Sequence, residues 1–243
     1  MARLLSPIRG KPNILLVHGA WGDASHWRHV IPLLHDKGYQ VFAVQIPLTS
    51  LPDDIDRTSK LIAALDAPTL LVGHAYGCAV ITGAGHAPNV VGLVYLAGPA
   101  LDEGESLKDL LARRAPPVGA ANIRQDRYGF LWIVPEKFRE TFCHDLDDET
   151  ESLVWALTQK PTAARCFEEK SGAPAWRVKP SWYQISANDR LIPVETEEWM
   201  AERIEARATI TLQTSHASIA THPDEIVKLI ESASNTAAAQ GRP

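Results

Sequence analysis

"TLLVGHAYGCAVI", residues 69–81, sets a five-residue Gly-His-Ala-Tyr-Gly join between two apolar runs. The first run, Thr69 to Val72, is short and apolar on successive residues, as a strand covered on both faces is. The second begins at Cys78 and is small and aliphatic, suited to a helix packed in a core. Gly73 and Gly77 bracket the join, where missing side chains let neighbouring backbone pass close. A strand that turns tightly into a helix is the repeating unit of α/β proteins with a parallel sheet.

The same alternation extends outward. "NILLV" (13–17) reads as a strand, and Trp27, Val30, Ile31 and Leu34 mark one face of a helix that Gly38 stops. "VFAV" (41–44) follows, then a helix through Ile55, Thr58, Ile62 and Leu65 that ends before Pro68. "VVGLVYLAG" (90–98) is a further strand. From about 101 to 179 the alternation lapses into charged sequence with scattered aromatics. It resumes with "SWYQISA" (181–187), a helix around Trp199, Met200 and Ile204, "TITLQT" (209–214), and a last helix opened by Pro223. The fold class is therefore α/β, a mainly parallel sheet of about six strands flanked by helices. Residues 1–100 and 180–243 form its core, and 101–179 are an insertion too short and too weakly patterned for an independent domain. The tail "SNTAAAQGRP" is expected to fray.

Composition narrows the function. The chain has 243 residues, 24 basic against 29 acidic, for a net charge of -5. With no concentrated basic surface, nucleic acid is excluded as a partner. No apolar run approaches the ~20 residues that span a bilayer, so no membrane partner is expected. The N-terminal "MARLLSPIRGKPN" lacks the apolar core of a signal peptide. Three cysteines, Cys78, Cys143 and Cys166, have no paired spacing and read as buried thiols of a cytoplasmic protein. A small-molecule substrate is the partner this leaves, with oligomeric state open.

Strand, glycine-flanked turn and helix are also the setting of the nucleophile elbow, Gly-x-Ser-x-Gly. Here Ala75 occupies the position where serine is expected. Three further landmarks lie just beyond strands. "VHGAW" (17–21) follows the first, and a His-Gly turn there lends a backbone N–H to an oxyanion hole, with a second from the residue after the nucleophile. By position these donors are Ala20 and Tyr76, and backbone donors do not depend on the side chain at 75. Asp189 lies beyond the strand at 181–187 and His216 beyond that at 209–214. The order 75, 189, 216 is that of nucleophile, acid and base in this kind of fold.

Together these stretches identify a resemblance. "VHGAW", "GHAYGC", "KPSWYQISANDRLIP" and "SHASIATHP" are similar to the motifs VHGAW, GHSYGG, KPSWY-x5-DR-x-IPP and SHAS-x-x-SHP of a bacterial α/β-hydrolase family. That family is akin to plant methylesterases, hydroxynitrile lyases and pyrethroid-type carboxylesterases. The resemblance covers nearly the whole chain apart from 101–179, and it implies that this insertion forms a small helical cap over the site. It also implies carboxylic ester hydrolysis of a small apolar or aromatic substrate, without a cofactor. Three departures stand out. Ala75 replaces the serine, Cys78 replaces a glycine, and Ala217 stands where the lyases carry lysine, which argues against cyanohydrin chemistry.

Other groups invite weaker readings. His26 and His29 are three apart on a helix, but no third ligand accompanies them, so no metal is expected. His18 and His74 occupy family turn positions and read as packing. Trp21, beside the oxyanion turn, and Trp132, in the insertion, are candidates for the substrate pocket. The acidic run "HDLDDETE" (144–151) reads as carboxylates at a helix start rather than a calcium loop. Retention of acid, base and hole beside Ala75 favours a serine hydrolase whose nucleophile has been replaced, an inactive variant suited to trapping substrate. Two alternatives stay open: a naturally serine-free His–Asp dyad enzyme, dioxygenase- or lyase-like, and a ligand-binding homologue without catalysis.

Overall fold

The computed structural model describes residues 10–65 and 67–240, the side chains of 238–240 excepted. The N-terminal segment read above for a signal peptide lies largely outside the described residues. In chain order the first half runs β1 (Asn13–Val17), α1 (Val30–Asp36), β2 (Val41–Val44), α2 (Leu51–Leu65), β3 (Thr69–His74), α3 (Gly77–Ala84) and β4 (Val90–Leu96). The middle holds α4 (Leu107–Leu111), β5 (Ile123–Gln125), β6 (Phe130–Ile133), α5 (Phe138–Phe142), α6 (Glu149–Leu157), β7 (Thr162–Ala163) and α7 (Arg165–Glu168). The remainder is β8 (Ser181–Ser186), α8 (Val194–Arg203), β9 (Thr209–Leu212), α9 (Ser218–Thr221) and α10 (Pro223–Gln240). The helix continues to Gln240, so the stretch 234–240 expected to fray is helical; its amphipathic spacing carries straight through Ala233 and Ala237, which are buried.

Six strands form one parallel sheet in the order β2-β1-β3-β4-β8-β9. The continuous apolar reading of its strands has a direct cause. Along β1, Leu15 and Val17 face one core with Leu71, Tyr95 and Tyr183, while Ile14 and Leu16 face another with Leu70, Val72 and Trp182. Side chains alternate between faces, but both faces are apolar because helices cover both. On the second face α1 and α10 supply Val30, Leu34, Ile226 and Ile230. The four β1 residues Ile14 to Val17 are all 0% exposed, each contributing ~1.5–3 kcal/mol by leaving water.

Register brings the carboxyl ends of β2, β1, β3 and β4 level, while β8 and β9 run on beyond them. Val44, Val17, Gly73, Tyr95, Tyr183 and Thr209 form one row across the sheet. The chain runs from β1 outward to β2, then returns to β3 on the other side of β1. The loops that leave the carboxyl ends of β1 and β3 therefore diverge, and such a switch point opens a crevice.

The 101–179 segment is not purely helical. Alongside its short helices, β5, β6 and β7 make a three-stranded antiparallel sheet. These strands have two to four residues each, too few for an alternation to show in the sequence. The β5–β6 turn is closed by Asp126, whose Oδ1 accepts from the amides of Tyr128 and Phe130.

Candidate active site

The site is built from the loops beyond β1, β3, β8 and β9. Ala75 holds φ +51°, the left-handed region that costs a residue with a Cβ ~1–2 kcal/mol. Packing enforces it. A Cβ at Gly77 would lie 2.3 Å from the Val17 carbonyl, and one at Gly73 would lie 2.7 Å from the Gly77 carbonyl. Backbone thus crosses backbone at van der Waals contact, and only glycine fits either side of the turn. The Ala75 amide donates to the Leu96 carbonyl at 2.9 Å, and the Ala75 carbonyl accepts from the Cys78 amide. The Cys78 thiol is buried and donates to the Gly73 carbonyl, so the extra side chain at the helix start is absorbed without displacing the turn.

The turn after β1 lies against this elbow. A Cβ on Gly19 would sit 2.7 Å from the Ala75 Cβ and 3.6 Å from the Tyr76 nitrogen. His18 braces that turn: its Nε2 accepts from the Ile46 amide, so Nδ1 carries the proton and donates to the Gly19 carbonyl. Burial pushes His18 down to about 4, which keeps it neutral. The amides of Ala20 and Tyr76 donate to no acceptor among the described residues, and both residues line the same cavity.

His216 and Asp189 meet. His216 Nδ1 donates to Asp189 Oδ2 at 2.5 Å, with the imidazole 3% and the carboxylate 0% exposed. Asp189 Oδ1 accepts from the Leu191 and Ile192 amides at 2.6 and 3.0 Å, which fixes the carboxylate. Because Nδ1 is committed to Asp189, Nε2 is the ring nitrogen left for the cavity that His216 also lines. His74 Nε2 donates to the His216 carbonyl at 2.7 Å. Burial drives the His74 ring well below the ordinary histidine range, so it serves as a neutral prop.

The cavity measures about 50 Å³ and is almost wholly apolar, with Ala75 in its wall. Core loops contribute Ala20, Trp21, Leu191 and Ile192, while the 101–179 segment contributes Leu107, Leu111, Ile123 and Phe167. Trp21 lies in its lining, with φ +60°. The Trp21 indole N–H donates to the Leu131 carbonyl and its amide to Thr162, so its polar atoms are spent on the insertion. Trp132 is not in the lining, which corrects the expectation from sequence. Alternation along β6 sends Leu131 and Ile133 inward, and the Trp132 indole instead donates to Asp126 Oδ2 at 3.1 Å.

His26 and His29 face different partners. His26 is buried, stacked on Trp155 at 4.2 Å between centroids and pushed down to about 3 by desolvation. His29 pairs with Glu151, which also takes Arg28. Among the described residues no three histidine, cysteine or acidic side chains gather as a metal site, and no helix is long and apolar enough to cross a membrane.

Three contributors were not legible in the sequence. Asp145 Oδ2 accepts from the Ser215 amide and the Thr214 hydroxyl, both at 2.8 Å, immediately before His216. Phe142 sets its ring against that of His216 at 4.9 Å, edge to face. Glu197, on α8, is fully buried and binds the Ser186 amide. Asp145 lies in the acidic run read as a helix start, where Asp148 does cap α6, and Glu197 is one of the acidic residues in the first turn of α8.

The family model for the alpha/beta hydrolase family matches residues 14–229. Alpha/beta hydrolase nvfD of Aspergillus novofumigatus is 26% identical over 93% of this chain and 98% of its own length. The pyrethroid hydrolase of Sphingobium wenxiniae is 24% identical over 90% of this chain and 86% of its own. Among solved structures, a pyrethroid hydrolase from Sphingobium faniae superposes with a TM-score of 0.79 at 22% identity, covering 94% of this chain and 99% of that one. Polyneuridine aldehyde esterase superposes at 0.77 and 17% identity, covering 91% and 99%. On the extent of the family match and on its fold, this chain belongs to the alpha/beta hydrolase family.

Proposed function

We propose that the cavity is the substrate site of a carboxylic ester hydrolase in which alanine stands at the nucleophile position. One observation carries this reading: Ala20, Ala75, Tyr76 and His216 line one apolar cavity, with His216 held by Asp189 through Nδ1 and the Ala20 and Tyr76 amides unengaged among the described residues. A hydroxyl at residue 75 would have a base for its proton and donors for the oxyanion. His216 would take the proton at Nε2, and Asp189 would hold the resulting imidazolium. The Ala20 and Tyr76 N–H groups would stabilise the tetrahedral intermediate, and water would release the acyl group.

With Ala75 the attacking oxygen is missing, which lowers the rate by on the order of 10⁴–10⁶. Substrate binding and the oxyanion hole do not need that oxygen, so the chain holds an ester without rapidly cleaving it. The apolar wall suits a small apolar or aromatic acyl group, and Trp21 contributes to it. The 101–179 segment acts as the cap, a role supported by the third of the cavity-lining residues that come from it. Relatives named for pyrethroid hydrolysis support a small organic ester-type substrate. Three buried unpaired thiols suit a reducing, cytoplasmic setting.

Equilibrium binding tests this directly. A short activated aryl ester should bind one per chain and be recovered intact after denaturation. Ile123→Trp, which fills the cavity from β5, should abolish that binding. Binding that survives the filled cavity, or no binding across an ester panel, would overturn the assignment of this cavity.

A further inference from the structure

Asp189 has a neighbour that the three-residue arrangement does not use. Glu197 projects from the first turns of α8 and is 0% exposed. Its Oε2 accepts from the Ser186 amide at 2.9 Å, while its Oε1 is buried without a partner among the described residues. Ser186, whose amide Glu197 holds, accepts from the Asp189 amide at 3.1 Å through its own carbonyl, so both carboxylates are tied to one turn. Asp189 is already an acceptor three times over, from Leu191, Ile192 and His216. The other titratable groups around Glu197 are the Tyr183 hydroxyl on β8 and the Cys78 thiol on α3, both uncharged, and among the described residues no cation pairs with it. Two fully buried carboxylates tied to the same turn, with no cation for Glu197, would repel. One proton resolves both problems, since it turns the orphaned Oε1 into a donor and leaves a single negative charge.

We propose that Glu197 is a positioning residue that holds Asp189 through a hydrogen bond donated by its own carboxylic acid. Burial first, and then the charge of Asp189, push the Glu197 carboxyl well above the usual carboxylate range, in keeping with this arrangement. The effect is twofold. The donated bond adds to those from the Leu191 and Ile192 amides and His216 that fix Asp189. It also withdraws electron density from Asp189, which moderates the basicity that Asp189 imparts to His216.

The inference rests on the reading of Asp189–His216 as the working pair, and its two arms separate the proposals. The first arm needs no turnover. Infrared difference spectroscopy of the chain as it stands, near neutral pH, should show the carbonyl stretch of a buried protonated acid that disappears in Glu197→Gln. The second arm uses the Ala75→Ser background. There Glu197→Gln, which keeps a neutral donor, should leave the acidic limb of the kcat/KM profile in place. Glu197→Leu, which removes the donor, should raise that limb by about one pH unit, the equivalent of one hydrogen bond. Absence of the acid band would overturn the proposal, as would a limb that falls by a unit or more in Glu197→Gln, since that fall reports loss of an anion. An inert Ala75→Ser protein with the band present would count against the hydrolase reading and leave the Glu197 acid standing.

Discussion

At the scale of single residues, the methyl of Ala75 is held in a conformation that alanine does not favour. Its φ of +51° is imposed by the crossing backbone at Gly73 and Gly77, and nothing in the methyl itself repays that strain. Ala75→Gly should therefore raise the unfolding free energy by up to ~1 kcal/mol, read from denaturant midpoints at constant slope. Gly77→Ala should act in the opposite sense, since its Cβ would meet the Val17 carbonyl at 2.3 Å. A loss of ~1–3 kcal/mol is expected, and an unchanged midpoint would show that the turn is looser than described. Ala75, Asp189 and His216 stand out in the sequence because each follows a strand whose end can be read from its apolar run. Glu197 and Asp145 do not, because a carboxylate near a helix start has an ordinary electrostatic explanation that hides any other use.

Among elements, the strands of the large sheet were legible and those of the insertion were not, for one reason. A strand buried between two helical layers is marked by an unbroken apolar run, as Ile14–Val17 is, and its helices by their spacing. In β6 the same alternation puts Ile133 at 0% exposure and leaves Trp132 half-buried on the outer side, and four residues cannot announce which side is which. Misplacing Trp132 follows from that. The insertion is also tied to the site. His144 Nε2 donates to the Asn188 carbonyl at 3.0 Å and Asp145 binds the 214–215 backbone, so one short strap spans the loops that carry Asp189 and His216. Burial alone would raise the Asp145 carboxyl, but hydrogen bonds from Ser215 and Thr214 outweigh it and hold it below the usual range. Asp145→Ala leaves the Ser215 amide without its acceptor. Stability should fall by ~1–3 kcal/mol, and activity in the Ala75→Ser background should drop by about tenfold or more as His216 loses its brace. A stability loss with unchanged kcat/KM would confine Asp145 to folding.

For the whole molecule, one buried acid should leave a visible mark on stability. Asp54 is 0% exposed on α2, accepts from the Leu48 amide and the Tyr76 hydroxyl, and is pushed up to about 6 by burial. Since its folded value lies above its unfolded value, the folded state binds the extra proton between pH ~4 and ~6. Stability from this group is fully present below that window and is lost as pH rises through it. The difference between the native chain and Asp54→Asn should therefore change by ~3 kcal/mol across the window and be flat above pH ~7. A difference profile that is flat throughout would mean that the Leu48 and Tyr76 hydrogen bonds offset the burial. At the centre of the molecule's chemistry is an oxygen absent from a site whose other parts are in place. This is tested most directly by the hydrolysis rate of a short activated aryl ester in Ala75→Ser, alone and combined with His216→Ala. The serine should bring a gain on the order of 10³-fold or more, and the double variant should lose most of it. A well-folded Ala75→Ser protein that is inert toward esters, thioesters and lactones alike would contradict it.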